Sequence, residues 1–306
     1  MTHASGALSH SGVLVCGRRE FRLPERTHIM GILNVTPDSF YDGGLFLNPD
    51  AAVRRGLVME EEGADIIDVG GESTRPGADP VSVREEMERI LPVIEGIRRH
   101  SDIPVSVDTS KSDVARAALD AGADMINDVS GLTFDPQMQK VISDEGACVV
   151  LMHMQGNPKT MQKKPEYSDL IEDISAFLNT SVRTALDAGI HEDKIIIDPG
   201  IGFGKKWKDN YIILDCLDIF QKLGFPILVG VSRKSFIGHL LNLPEQERLW
   251  GTAAAVTAAV LNGCHIVRVH DVREMRQVVQ VADAVKTARE TASVEHEKQE
   301  NNLSKT

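Results

Sequence analysis

Short apolar runs alternate with longer amphipathic segments along most of this chain. The runs fall at 29–34, 65–70, 104–108, 124–127, 147–152, 194–198, 227–231 and 265–269. Many place Val and Ile on consecutive positions, the pattern of strands covered on both faces and hence of a parallel sheet. Helical spacing fills the gaps: Asp50 to Glu62, Val83 to Arg99, Ser112 to Ala121, Pro136 to Glu145, Leu170 to Ala188, Asn210 to Leu223, Gln246 to Leu261 and Val272 to Glu290. Strand and helix in strict alternation predict an α/β (β/α)8 TIM barrel. A doubly wound open sheet is the alternative that the same pattern admits.

An internal echo supports the regularity. Gly63-Ala64-Asp65-Ile66-Ile67-Asp68-Val69 recurs as Gly122-Ala123-Asp124-Met125-Ile126-Asn127-Asp128-Val129, and more weakly at Gly263-Cys264-His265-Ile266-Val267. In each, a glycine that ends a helix is followed by the apolar run of the next strand. Ahead of the first strand, Val13 to Leu23 reads as a small β-hairpin turning at Gly17 and Arg18, placed to cap the amino-terminal mouth of the barrel. The expected organisation is a flexible tail over 1–12, one catalytic barrel over 13–288, and a polar tail over 289–306 in which apolar residues nearly vanish.

Composition narrows the function classes. With 306 residues, 42% hydrophobic and 25% charged, the chain is a soluble globular type able to bury a large core. Its formal net charge of -12 and the absence of a Lys/Arg run argue against a nucleic-acid binder. No apolar run reaches the roughly 18 residues of a membrane span. Cys16, Cys148, Cys216 and Cys264 are widely spaced and read as reduced core thiols of a cytoplasmic protein.

In a barrel of this kind the chemistry gathers where the strands end. Those ends carry Asn34; Glu72 to Arg75; Asp108; Asn127 and Asp128; Met152 and His153; Asp198; Ser232 to Lys234; and Arg268 with His270. One terminal Asp is ordinarily a helix cap or a turn former. Asp108 is not needed as one, because Ser110 and Asp113 already spell an S-x-x-D capping signature for the next helix. Asp198 ends an Ile195-Ile196-Ile197 run, where a buried carboxylate calls for a ligand bearing paired N–H donors. Arg75, Lys234, Arg268 and His270 form a local anion site in an acidic chain, and Arg offers the planar fork that suits phosphate. The loop from Asn34 to Gly44 is too rich in hydrogen-bonding groups for a plain connection. Gly200-Ile201-Gly202-Phe203-Gly204-Lys205 fits neither the Walker nor the Rossmann fingerprint, and no zinc-ligand spacing is present. The sum is a pocket for a donor-rich heterocycle at one end and phosphate at the other.

These segments resemble the dihydropteroate synthase family. The resemblance rests on Ile29 to Gly44, Gly63 to Pro76, Val107-Asp108-Thr109, Ile126-Asn127-Asp128, Leu151-Met152-His153-Met154, Asp198 to Lys205, Ser232-Arg233-Lys234 and Arg268-Val269-His270, and spans Val13 to Ala288. It implies a transferase of folate biosynthesis that condenses 6-hydroxymethyl-7,8-dihydropterin pyrophosphate with 4-aminobenzoate. Lys234, Arg75, Asp108 and Asp198 would be catalytic. Asp108, Asn127, Met152, Asp198, Lys234 and Arg268 would hold the pterin; Asn34, Arg75, Arg268 and His270 the pyrophosphate; Thr74, Pro76, Phe203 and Ser232 the aminobenzoate. Thr36, Pro37, Asp38, Ser39 and Phe40 would form a lid, with Asn34 near Mg2+. A homodimer through the last helices and sulfonamide inhibition are further implications. The competing readings are a methyltransferase that passes a methyl group from methyltetrahydrofolate to a corrinoid protein, which would not need the pyrophosphate site, and a non-catalytic pterin-binding barrel, which would be expected to have lost some of these groups.

Overall fold

In the computed structural model, which describes residues 12–23, 25–36, 48–73 and 79–303, the consecutive apolar runs become strands buried on both faces. β1 (Val13–Cys16) and β2 (Arg19–Arg22) form an antiparallel hairpin. Then come β3 (His28–Asn34), β4 (Ile66–Gly70), β5 (Val105–Asp108), β6 (Met125–Asp128), β7 (Cys148–Met152), β8 (Ile195–Asp198), β9 (Leu228–Val229) and β10 (Ile266–Val269). These eight lie parallel in the order β8-β7-β6-β5-β4-β3-β10-β9. A parallel bridge between Ile197 and Ile227 joins the two ends, with the Ile197 N–H donating to the Pro226 carbonyl at 2.9 Å. The sheet therefore closes into the predicted barrel, and the open-sheet alternative is excluded.

Helices α1 (Pro49–Glu61), α2 (Val83–Arg98), α3 (Ser112–Asp120), α4 (Met138–Glu145) and α5 (Leu170–Asp187) wrap the first half. The second half carries α6 (Asp209–Asp215), α7 (Leu217–Gln221), α8 (Ser235–Leu241), α9 (Leu249–Leu261) and α10 (Val272–Leu303). Strand parity sorts the core into two compartments. Ile67, Val69, Val105, Val107, Val149, Ile195 and Val267 pack outward against the helices. Met30, Ile66, Met125, Val150, Ile196, Leu228 and Ile266 point inward and meet Leu14, Cys16, Phe21 and Leu23 of the hairpin. The hairpin thus caps the amino-terminal mouth as predicted. Gly17 turns it in the left-handed region (φ 57°), close against the Asp124 carboxylate.

Several local expectations differ. The helix predicted over 210–223 breaks at Cys216 (φ -103°, ψ 22°) into α6 and α7. The Gln246 to Leu261 helix starts at Leu249, after a short 3-10 turn at Glu245–Glu247. Helix α8 was not predicted, being short and entered through Arg233 at φ 56°. The Ser110–Asp113 capping box does not form: α3 opens after Lys111 without a side-chain cap, and Asp135 Oδ2 takes the Ser112 N–H at 2.8 Å. A partner from a later loop displaces the local one. The helix predicted over Val272 to Glu290 runs on through Leu303.

Candidate active site

Parity places one polar layer above the apolar one. Strand register sets Asn34, Gly70, Asp108 and Asn127 in a single row across β3 to β6. A Cβ at Gly70 would stand 3.7 Å from the Asp108 Cβ and 3.8 Å from Asn34 Oδ1, so the missing side chain opens the space between them. Asp198 and Arg268 join from β8 and β10.

Asp68 organises this layer. Wholly buried, it accepts from Arg268 Nε at 2.6 Å and from Asn127 Nδ2 at 3.2 Å on the same oxygen, Oδ2. Arg268 reaches on with its other fork to Asp108 Oδ2 at 2.8 Å. The second oxygens of both carboxylates, Asp68 Oδ1 and Asp108 Oδ1, are buried without a hydrogen bond among the described residues. Such orphaned acceptors are costly in an empty site and are satisfied by a ligand that brings donors. Burial pushes the Asp108 carboxyl up to about 7; Arg268 pulls it down, while Asp68, Glu86 and Asp128 push it further up.

On the facing wall, Asp198 Oδ1 accepts the Gly200 N–H at 2.7 Å, closing the turn after β8. Burial raises its carboxyl, and Lys234 opposes the rise most strongly. Burial likewise brings the Lys234 amine down to about 8 against the pull of Asp198. Lys234 donates to the Ile201 carbonyl and stands 4.5 Å above the Phe203 ring, a cation–π contact. Met152, Val129, Met154 and Met161 with Phe203 make an apolar wall beside these charges. A flat heterocycle slid between wall and carboxylates would stack on one and donate to the other.

A further recess lies between β3 and β10. Asn34, Arg55, Arg233, His270 and Asp271 line a cavity of about 250 Å3 there. Ser232 Oγ lies 2.9 Å from His270 Nδ1 and accepts the His270 N–H at 3.2 Å, so the hydroxyl positions the imidazole. Arg233 pairs with Asp271 through both Nε and a terminal nitrogen. A larger depression of about 550 Å3 lies away from the strand ends, along α2 at Val83, Met87 and Leu91. Its charged lining residues, Arg84 and Glu88, pair with each other at 2.7 Å, and no strand-end residue lines it.

The structure thus gathers Asn34, Asp108, Asn127, Met152, Asp198, Phe203, Ser232, Lys234, Arg268 and His270 around one mouth. Thr74, Arg75, Pro76, Pro37, Asp38, Ser39 and Phe40 lie outside the described residues; Thr36, at the end of β3, is within them. After β4, Lys111 bridges Glu72 and the fully buried Glu86. Two site residues escaped the sequence reading. Asp68 was signalled as the lone carboxylate of an apolar strand, two residues before its end. Lys205 closes the glycine segment that was set aside for matching no nucleotide motif, and it is almost wholly buried.

Comparison with known proteins bears on this mouth. A family model described as pterin binding enzyme matches residues 30–270. The dihydropteroate synthase of Synechocystis sp. is 49% identical over 273 residues, covering 89% of this chain and 94% of that one. The structure of Yersinia pestis dihydropteroate synthase in a sulfonamide drug complex aligns with a TM-score of 0.85 at 43% identity, covering 90% of this chain and 99% of that one. That of the Xanthomonas albilineans enzyme with 4-aminobenzoic acid gives 0.84 at 44% identity, with coverage of 90% and 99%. By sequence and by structure, the chain belongs to the dihydropteroate synthase family of pterin binding enzymes.

Proposed function

We propose that this chain joins 6-hydroxymethyl-7,8-dihydropterin pyrophosphate to 4-aminobenzoate, releasing 7,8-dihydropteroate and pyrophosphate. The observation that carries the reading is the buried acceptor set of Asp108, Asp198 and Asn127 facing Arg268 and Lys234 across one mouth. Asp108 Oδ1 and the Asp198 carboxylate take N–H donors of the pterin edge, Asn127 supplies a matched amide, and Lys234 donates to the ring. Met152 packs on the ring face. Arg75, Arg268, His270 and Asn34 hold the pyrophosphate.

In the reaction the methylene C–O bond breaks and its electron pair leaves with pyrophosphate. The buried carboxylates stabilise the positive charge left on the pterin, and the cations stabilise the leaving group. The amine of 4-aminobenzoate, seated among Thr74, Pro76, Phe203 and Ser232, attacks the methylene carbon and releases a proton. The lid from Thr36 to Phe40 excludes water that would otherwise trap the cation. No protein nucleophile is required.

The site also fits Mg2+. Asn34 offers an amide oxygen at the cavity between β3 and β10, and this cation takes few protein ligands when phosphate and water fill its shell. When bound, Mg2+ supplies charge neutralisation on the departing pyrophosphate. The working unit is a cytoplasmic homodimer of 13–288 barrels. Its contact is supported by exposed apolar side chains on the late helices, Leu240, Trp250, Val281 and Val285. Among the described residues no helix is long and apolar enough to cross a membrane. Methyl transfer to a corrinoid protein would leave the Asn34, Arg268 and His270 end without a task.

The test mixes purified protein, Mg2+, the pterin pyrophosphate and 4-aminobenzoate and follows pyrophosphate and dihydropteroate together. Stoichiometric appearance of both, suppressed by chelation and by sulfonamides competing with 4-aminobenzoate, is the expected result. Folded protein that yields neither product would overturn the proposal.

A further inference from the structure

Lys205 is among the largest fully buried side chains of the molecule, and it makes no ion pair within 4 Å among the described residues. Its Nζ instead lies 2.7 Å from His153 Nδ1 and donates to the His153 carbonyl at 3.1 Å. His153 is itself packed edge-on against Phe177, with ring centroids 4.9 Å apart, and beside Tyr167. The glycine loop lies flush on this support. A Cβ at Gly200 would stand 1.9 Å from the His153 carbonyl oxygen, and one at Gly204 would stand 2.7 Å from that of Gln155. The Tyr167 hydroxyl donates to the Gly204 carbonyl at 2.6 Å. One backbone bond completes the unit: the His153 N–H donates to the Asp198 carbonyl at 2.9 Å.

We propose that Lys205 is a positioning residue, which ties the Gly200–Gly204 loop to His153 and thereby fixes Phe203 for aminobenzoate, while its amine lies under the turn that carries Asp198. The proposal rests on the reaction assigned above. Phe203 sits in the middle of the tied loop, and its ring is the face that Lys234 covers. Loosening the tie therefore disturbs aminobenzoate capture first. When protonated, the amine acts on the pterin side: it lies 3.0 Å from where a Gly200 Cβ would stand, next to the Gly200 N–H that Asp198 Oδ1 accepts. Burial raises Asp198 and lowers Lys205, and each group opposes the change in the other. The other charged or titratable groups around the pair are Lys234 after β9, Arg268 on β10, His153 and Tyr167 after β7, and Asp209 at the start of α6. Burial, aided by Lys205, keeps His153 neutral, so Nδ1 is available to accept. Removing Lys205 leaves Asp198 with less positive charge and raises its carboxyl further.

Four proteins separate the parts: wild type, Lys205→Met, Lys205→Arg and His153→Leu. Wild-type turnover tests the assigned reaction independently of the variants. With it established, Lys205→Met is expected to raise the KM for 4-aminobenzoate about ten-fold and to move the acid limb of 6-hydroxymethylpterin binding up by about one pH unit. His153→Leu keeps the charge and loses one acceptor, so it raises the same KM and leaves the acid limb in place. Lys205→Arg is expected to return the acid limb to its wild-type position. A purely structural role would lower Tm and active fraction with no change in KM or in the pH profile. Folded Lys205→Met with both quantities unchanged overturns the proposal. If Lys205→Met does not fold, an unchanged aminobenzoate KM in His153→Leu overturns it.

Discussion

Replacing Asp108 with Asn should make the ligand-free protein more stable above neutral pH while removing pterin binding. The carboxyl is raised from an ordinary 3.8 to about 7, chiefly by burial. A raised carboxyl holds its proton more tightly in the folded state. The stability it contributes is therefore complete below about pH 4 and is lost as pH rises through about 7. Three units at 1.36 kcal/mol each set a ceiling of about 4 kcal/mol on that loss. The attraction of Arg268, from which the charged form accepts at 2.8 Å, is already contained in that raised value, and Arg268 keeps its bond to Asp68 in the variant. A net gain of about 1–3 kcal/mol for Asp108→Asn at pH 8 relative to pH 5 follows. Urea unfolding of both proteins at the two pH values measures it. Pterin affinity, by calorimetry, should fall about 100-fold or more, since an acceptor-only group is exchanged for one carrying donors. Equal destabilisation at both pH values would refute the argument that the ionised carboxylate is held against its own preference. Retained pterin affinity would remove Asp108 from the site.

Asp68→Asn should lower kcat/KM for the pterin pyrophosphate by about 100-fold, the loss of a charge-assisted bond of about 2–3 kcal/mol that aims Arg268; unchanged kinetics would show that Arg268 is aimed without it. The same kcat/KM should fall above about pH 8, where Lys234 loses its proton. Lys234→Arg should move that alkaline limb upward, because a guanidinium does not titrate in this range; a limb that stays in place assigns it to another group. Gly17→Ala should cost about 1–3 kcal/mol of stability, combining a left-handed backbone with a Cβ 2.1 Å from Asp124 Oδ1. Its folded fraction should keep wild-type kcat, as the hairpin turn lies at the mouth opposite the chemistry.

The strands were legible because parallel strands under helices are apolar on both faces, so consecutive Ile and Val announce them without regard to register. That same property conceals which residues point inward. In Ile66-Ile67-Asp68-Val69-Gly70, inward parity belongs to Ile66, Asp68 and Gly70, and only the pairing of Gly70 with Asn34 and Asp108 reveals it. Asp68 was therefore read as part of a motif rather than as the anchor of Arg268. Lys205 was hidden for a different reason: its partner His153 follows another strand, β7, and no local spacing records a contact across 52 residues. The α3 start was misread on the same ground, since Asp135 outcompetes the nearby capping signature.

The two layers inside the barrel explain why the hairpin matters to a site it does not touch. Asp68, Asp108, Asn127, Asp198 and Arg268 occupy interior positions that in a purely structural barrel would be filled by branched apolar side chains. Asp68 Oδ1 and Asp108 Oδ1 find no partner there among the described residues, so the upper layer subtracts stability in the ligand-free protein. The lower layer must offset this, and at Met30, Ile66, Met125, Ile196, Leu228 and Ile266 it is wholly apolar. Left open to water at the amino-terminal mouth, it would lose much of that contribution. Leu14, Cys16, Phe21 and Leu23 seal it, each buried side chain of this size contributing about 1.5–3 kcal/mol when fully withdrawn from water. Stability is concentrated at one end of the column and chemistry at the other, so substitutions in the hairpin should change how much protein folds, and those at the upper layer what the folded protein does.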